Sequence, residues 1–450
     1  MTDDTALSSL SNSGALGVLR GTEPDDVSGT PRRIAVYYPA TQHSLLLARA
    51  LAQQGYDTCL ATRFETESAM RQSVTVRLAH KVLGRSHAMQ RAMENRSLGD
   101  VCSFSTDPTG ILLDRMVRET LGRSAVQRFA SSRMRHSAKR AARFMSRQLH
   151  PELVIAAETG AVELLDEVAA AAPVVIDVAH PHPKEVDRCR RLAAVRYPDF
   201  VSSWDDPPLE ASGWQRLDQA LTRASGVWTA SHYTADSIRR FVDPAMQIDV
   251  VSYGVVGTLR PRRESTYEGR YLFVGSVGLR KGVPLLLEAW DRSGLASEGC
   301  VLDVVGRKLD PQVEAVLARS AGVRRHVDIS SELLSILFQR ADALVSPSYC
   351  EGFGRVFIEA AIVGLPFLAT RTGAVDDILG PDLHGWRVEV DDLDGFTQLL
   401  RRFHDEGSSR ADLADAIRGM RHHWTEEAYG SRLRSAIEQR FNVSPVPLNY

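Results

Sequence analysis

Two carboxylates eight residues apart bracket a glycine turn in "PSYCEGFGRVFIEAAIVGLP", residues 347–366. Glu351 precedes Gly352, Phe353 and Gly354, and Glu359 falls inside an apolar run of helical period. A carboxylate accepts hydrogen bonds on both oxygens and matches the two hydroxyls of a vicinal diol. Eight residues of helix rise by ~12 Å at most, about the span from a sugar ring to the ribose of an extended nucleotide sugar. The amides of Gly352, Phe353 and Gly354 fall where a helix start leaves backbone donors without partners. The rival reading is plainer: Glu351 caps the helix and Glu359 faces solvent.

A second stretch, "GSVGLRKG" at residues 275–282, follows the apolar run "YLFV". Open α/β sheets bind ligands at the carboxyl ends of their strands. Gly275, Gly278 and Gly282 allow close backbone approach, Lys281 offers a point positive charge, and the next helix N-terminus points the same way. That combination suits a phosphate or diphosphate; a surface turn with a solvated lysine is the alternative. No G-x-G-x-x-G follows either first strand and no Walker loop occurs, against nicotinamide and P-loop chemistry. No H-x-x-x-H and no cysteine cluster is present, so neither a metal site nor a resident cofactor is expected.

The elements that must position these residues alternate strand and helix. "RRIAVYYPA", "DTCLAT", "LVIAAETG", "PVVIDVAHPHP" and "IDVVSYGV" read as strands before residue 255, and "YLFVGSV", "CVLDVVG" and "PFLATRTG" after 270. Short links between apolar strands and periodic helices predict parallel α/β sheets. Residues 68–148 show little strand character and are strongly basic. The length of 450 residues favours two domains. We read 1–30 as a disordered tail, 31–255 as one Rossmann-like domain, 256–270 as a polar linker and 271–424 as a second, the two facing a cleft. The net charge of -2 argues against a nucleic-acid partner. No apolar run reaches 18 residues and the start lacks secretory patterning, and five scattered cysteines fit reduced thiols. A cytoplasmic protein is expected.

Together, "FVGSVGLRKGVPLLLEAW", "ADALVSPSYCEGFGRVFIEAAIVGLPFLATRTGAVDDIL" and "HGW" resemble glycosyltransferase family 4, the retaining GT-B enzymes, from about Tyr271 to Val390. The resemblance includes an E-x7-E motif and a lysine–glycine phosphate loop. "VWTASHYTADSIRRF" resembles the end of that family's first domain, and "WTEEAYGSRLRSAIEQRF" its last helix, here 425–442, which crosses back to the first domain.

The resemblance implies a GT-B fold and a metal-independent transfer of sugar from a nucleotide-sugar donor to a glycan or lipid-linked acceptor. It implies that Lys281 neutralises the diphosphate, that Glu351 and the amides of Gly352, Phe353 and Gly354 meet the transferred sugar, and that Glu359 holds the ribose. The family's arginine some five residues before the lysine is replaced by Gly275 and Ser276, and Arg280 is the nearest substitute. The resemblance also implies a histidine near the reactive carbon. His180 is the candidate, with Asp177 and His182 as competitors. The family's paired glycines in the first loop are replaced by "PATQHS", which points to an unusual acceptor or a different backbone path. The basic stretch 115–147, with Val126, Phe129, Met134, Phe144 and Met145 interspersed, reads as a peripheral contact with anionic membrane, a dock for an acidic acceptor, or a solvated face. A phosphorylase or epimerase on the same plan, and a catalytically silent binding protein, are the rival functions.

Overall fold

The computed structural model describes residues 32–39, 42–63, 101–106, 123–205, 211–255, 261, 267–307, 311–441, 443 and 445, without the side chains of 42, 123–131 and 211–212. The expected tail and most of the expected linker lie outside these residues. From Pro31 onward the chain forms one compact unit, and that unit contains two fully parallel sheets.

The first sheet comprises β1 (Arg33–Tyr38), β2 (Asp57–Thr62), β3 (Cys102–Ser105), β4 (Leu153–Ala157), β5 (Val174–Val178), β6 (Gly226–Thr229) and β7 (Ile248–Val250), in the order β3-β2-β1-β4-β5-β6-β7. The second comprises β8 (Arg270–Val274), β9 (Val301–Val305), β10 (Val323–His326), β11 (Ala343–Ser346), β12 (Phe367–Thr370) and β13 (Arg387–Val388), in the order β10-β9-β8-β11-β12-β13. Both are doubly wound, and each reverses direction beside its first strand, between β1 and β4 and between β8 and β11. Such reversals open the crevice in which α/β sheets take ligands. The chemistry follows from burial. Helices cover both faces of a parallel sheet, so inner strands read as continuous apolar runs, and all five residues of β5, "VVIDV", are buried.

One strand departs from the sequence reading. β3 lies within the stretch expected to have little strand character, and pairs Cys102 with Cys59 on β2. It is a four-residue edge strand of partly exposed residues, so it lacks the apolar run by which inner strands are read. The Cys59 and Cys102 thiols lie 3.1 Å apart, and all five cysteines are free.

The helix Arg123–Phe144 carries much of the expected basic stretch, of which the Val126 and Phe129 side chains lie outside the described residues. Ala138, Ala141, Ala142 and Met145, where the helix passes into a π turn, are fully buried, and Phe144 stacks on Phe104 at 4.2 Å. Over these residues its apolar side packs on the protein core. Arg135, Lys139, Arg140, Arg143 and Arg147 remain exposed at helical spacing.

The helix Glu426–Phe441 packs on the first sheet's helix Gln42–Gln53. Arg49 donates two bonds of 2.8 Å to the Glu426 carboxylate, and Arg440 pairs with Asp249 at 3.0 Å.

Candidate functional site

The site on the second sheet is built at the carboxyl ends of β8 and β11. Beyond β8 the Gly275 amide donates to the Val305 carbonyl at 3.0 Å. The loop then turns at Gly282, whose φ is +69° and whose added Cβ would lie 1.8 Å from the Pro347 carbonyl oxygen. Only glycine lets the two loops touch there. That contact brings together residues 70 positions apart. Lys281 Nζ pairs with the Glu351 carboxylate, and Arg280 Nη1 stands 3.8 Å from the same oxygen.

Arg280 also forks onto Asp205, a residue the sequence reading did not single out, with Nη2 to Oδ2 at 3.0 Å. Ser276 Oγ donates to the same carboxylate at 2.6 Å. Burial opposes charge on Asp205, but the Arg280 bonds win and hold its pKa below the usual carboxylate value. The position that lacks the family's arginine thus belongs to a Ser276–Asp205–Arg280 clasp. Asp205 follows the 3-10 turn Pro198–Ser203 of the first-sheet half, and Leu279 N–H donates to Ser203 Oγ at 2.9 Å. The expected ligand space at Gly278 is filled by protein, since a Cβ there would lie 2.4 Å from the Ser203 carbonyl oxygen.

The helix carrying Glu359 runs from Arg355 to Val363. Its N-cap is Gly354, with no side-chain capping bond, so Glu351 is not the cap. Among the described residues none of the amides of Gly352, Phe353 and Gly354 donates a hydrogen bond. Glu359 is not a fully solvated residue either. Its side chain is 24% exposed, 3.9 Å from Arg355 Nη2, and burial raises its pKa against the pull of Arg355.

The first sheet contributes the end of β5. His180 Nδ1 lies 2.6 Å from Glu158 Oε1, and the Ala179 amide donates to Glu158 Oε2 at 2.6 Å. Glu158 also escaped sequence reasoning; a lone carboxylate after β4 carries no spacing signal. The two competitors of His180 are engaged elsewhere. His182 is fully buried, 2.8 Å from Asp218 through Nε2, and its Nδ1 accepts the Lys184 amide as N-cap of the helix Pro183–Arg196. Asp177 is buried and accepts from Tyr38 Oη at 2.7 Å. Burial, with Glu158 acting the same way and the Tyr38 bond against it, pushes Asp177 up to about 7. His43, just past the "PATQ" stretch, stacks on Tyr253 at 4.7 Å. Burial, aided by the nearby charges of Arg355 and His180, lowers it to about 4.

Gly352 joins the two halves. A Cβ there would lie 2.1 Å from the Ala179 carbonyl oxygen, and its own carbonyl accepts from Ser231 Oγ and from Thr234 Oγ1, the latter at 2.9 Å. Phe353 is buried edge-on against Tyr253, at 5.0 Å. The loop that carries Glu351, paired with Lys281 and Arg280, therefore lies against the backbone of Ala179 and His180 at Gly352, and Glu359 stands two helical turns further along the chain.

Residues 260–420 match the family described as "Glycosyl transferases group 1". The MMP alpha-(1->4)-mannosyltransferase of Mycolicibacterium hassiacum is 30% identical over 253 residues, 54% of this chain and 59% of that protein. The D-inositol 3-phosphate glycosyltransferase of an Arthrobacter species is 26% identical over 258 residues, 51% and 58% of the two chains. The chain thus spans little more than half the length of these relatives. The sucrose-phosphate synthase of Thermosynechococcus elongatus superimposes with a TM-score of 0.63 at 18% identity, covering 92% of this chain and all of that one. Anabaena HepE, solved with UDP and glucose, gives 0.57 at 12%, covering 91% and 100%. The likeness to solved structures establishes the two-sheet GT-B architecture, and within it residues 260–420 carry the similarity to the group 1 glycosyl transferases.

Proposed function

We propose that this chain transfers a sugar from a nucleotide-sugar donor to a hydroxyl of a glycan or lipid-linked acceptor, with retention of anomeric configuration. The observation that carries the reading is the contact of Gly352 with Ala179, which sets a cation–carboxylate cluster from one sheet against a histidine from the other. In this reading the donor diphosphate competes with Glu351 for Lys281. Once displaced, the Glu351 carboxylate is available to the hydroxyls of the transferring sugar, and Glu359 holds the ribose. Lys281 and the amides of the turn stabilise charge on the departing diphosphate, whose oxygen takes the acceptor proton. No metal ion is assigned a role, and activity should survive excess chelator.

The silent-binder reading keeps one point in its favour: Asp205 draws Arg280 away from the place where a diphosphate would lie. Incubation with a panel of nucleotide sugars, with and without hydroxyl acceptors, separates the readings. Acceptor-dependent release of nucleoside diphosphate, with product configuration read by NMR, supports transfer. Binding without turnover of any donor favours the silent reading.

Among the described residues no helix is long and apolar enough to cross a membrane. We infer that any membrane contact is electrostatic, through Arg135, Lys139, Arg140, Arg143 and Arg147. In this reading the protein acts in the cytoplasm, at the inner face of the membrane.

A further inference from the structure

Glu158 lies one residue past β4, outside every motif that supports the functional reading. Both of its oxygens serve one neighbouring loop. Oε1 is 2.6 Å from His180 Nδ1 and Oε2 accepts the Ala179 amide at 2.6 Å. Its own amide donates to the Asp177 carbonyl at 3.2 Å, so main chain and side chain together tie the end of β4 to the end of β5. The Glu158 side chain is 17% exposed and the His180 side chain 74%. The carboxylate is thus the anchored member of the pair and the imidazole the presented one.

An ionised carboxylate is only an acceptor, so a neutral imidazole bonded to it through Nδ1 must carry its proton there. Its lone pair is then on Nε2. The same carboxylate fixes the Ala179 peptide, whose carbonyl is the surface on which Gly352 rests. Neither sequence competitor can replace it, since Asp177 bonds to Tyr38 and His182 faces Asp218.

We propose that Glu158 is the positioning residue of His180. It sets the Nδ1–H tautomer and the direction of the ring. That the ring then serves a sugar hydroxyl rests on the glycosyltransferase reading; the tautomer does not.

The test is 15N NMR of the full chain labelled at histidine, with His180 assigned by its loss in His180→Gln. At about pH 8.5 an ordinary imidazole is neutral. The parent should show a protonated Nδ1 and an unprotonated Nε2. In Glu158→Gln the side-chain amide can donate to Nδ1, and the ring should shift toward the Nε2–H form. Glu158→Asp, which retracts the carboxylate, should lose the single tautomer and serves if the glutamine variant does not fold. A parent ring with its proton on Nε2, or a tautomer unmoved by both substitutions, overturns the proposal. Kinetics give the second arm. Glu158→Gln should lower kcat by roughly tenfold or more, the weight of one charge-assisted bond, with nucleoside-diphosphate affinity unchanged. Added to His180→Gln it should cost little further. Independent losses from the two substitutions also overturn positioning. If no donor is turned over, the NMR result still decides the tautomer, and the failure counts against the glycosyltransferase reading alone.

Discussion

The two strand-end regions that meet at the crevice hold their charges in opposite ways. On the second sheet Lys281, Arg280 and Glu351 are only 15–17% exposed and satisfy one another. On the first sheet His180 projects outward, with its carboxylate beneath it. Partly buried charges are costly unless paired. The Lys281–Glu351 pair meets that requirement, and under the proposed function an anionic donor exchanges for the Glu351 carboxylate. Under the proposed function, the paired cations suit an anion and the exposed imidazole suits a hydroxyl.

The largest break of this contrast should come from Lys281→Ala. It removes the cation and leaves Glu351 with Arg280 alone. Nucleoside-diphosphate affinity should fall roughly 10- to 100-fold, the range of a hydrogen bond to a charged group, with the thermal transition still cooperative. Titration calorimetry reading an unchanged affinity would make the loop a structural turn.

The next effect should separate the two glutamates. Glu351→Gln should cut turnover by roughly tenfold or more while the nucleoside diphosphate binds as well as before or better, because its competitor for Lys281 has lost its charge. Glu359→Gln should instead raise the donor KM by roughly tenfold with a smaller change in kcat. Parental kinetics and binding in both variants would remove both residues from the site.

A smaller effect tests the buried floor under the first-sheet region. Asp177 titrates at about 7 because burial disfavours its charge. The folded chain keeps a proton there that the unfolded chain releases near pH 4. The stability from this protonation is full below about pH 4 and is lost as pH rises through about 7. Asp177→Asn cannot ionise, so its melting temperature should gain on the parent between about pH 5 and 8. A difference that stays flat with pH would show that Asp177 is charged throughout.

The smallest effect on catalysis should come from the cationic stripe. Arg140→Glu with Arg143→Glu should leave transfer to a soluble acceptor unchanged. The same pair should weaken retention on anionic vesicles at low salt, an attraction that screening removes. Equal retention of both proteins would detach the stripe from the membrane.

Much of the fold was legible because parallel strands buried on both faces leave unbroken apolar runs. The exception, β3, is short and at an edge. Of the candidate site, only what one local segment carries, such as the Glu351–Glu359 spacing, could be read in the sequence at all. Pairings between segments could not. Lys281 meets Glu351 because β8 and β11 are neighbours, and nothing at either position announces the other. Asp205 and Glu158 act from loop positions that any carboxylate could fill. The choice between His180 and His182 did have a local clue: Pro183 stands at the first helical position, which marks His182 as the residue capping that helix.

The helix Glu426–Phe441 has a consequence for the order in which the molecule is completed. It buries Tyr429, Leu433 and Ile437 and grips Arg49 from 377 positions away. During synthesis the first sheet leaves the ribosome long before the helix that covers its own first helix. That half of the molecule must wait with an uncovered apolar seam while the entire second sheet is made. Closure of so long a loop is entropically costly, so docking of the last helix should be a late and slow event. A chain ended before Glu426 would be left with this seam open, and with it a surface for association with other unfinished chains.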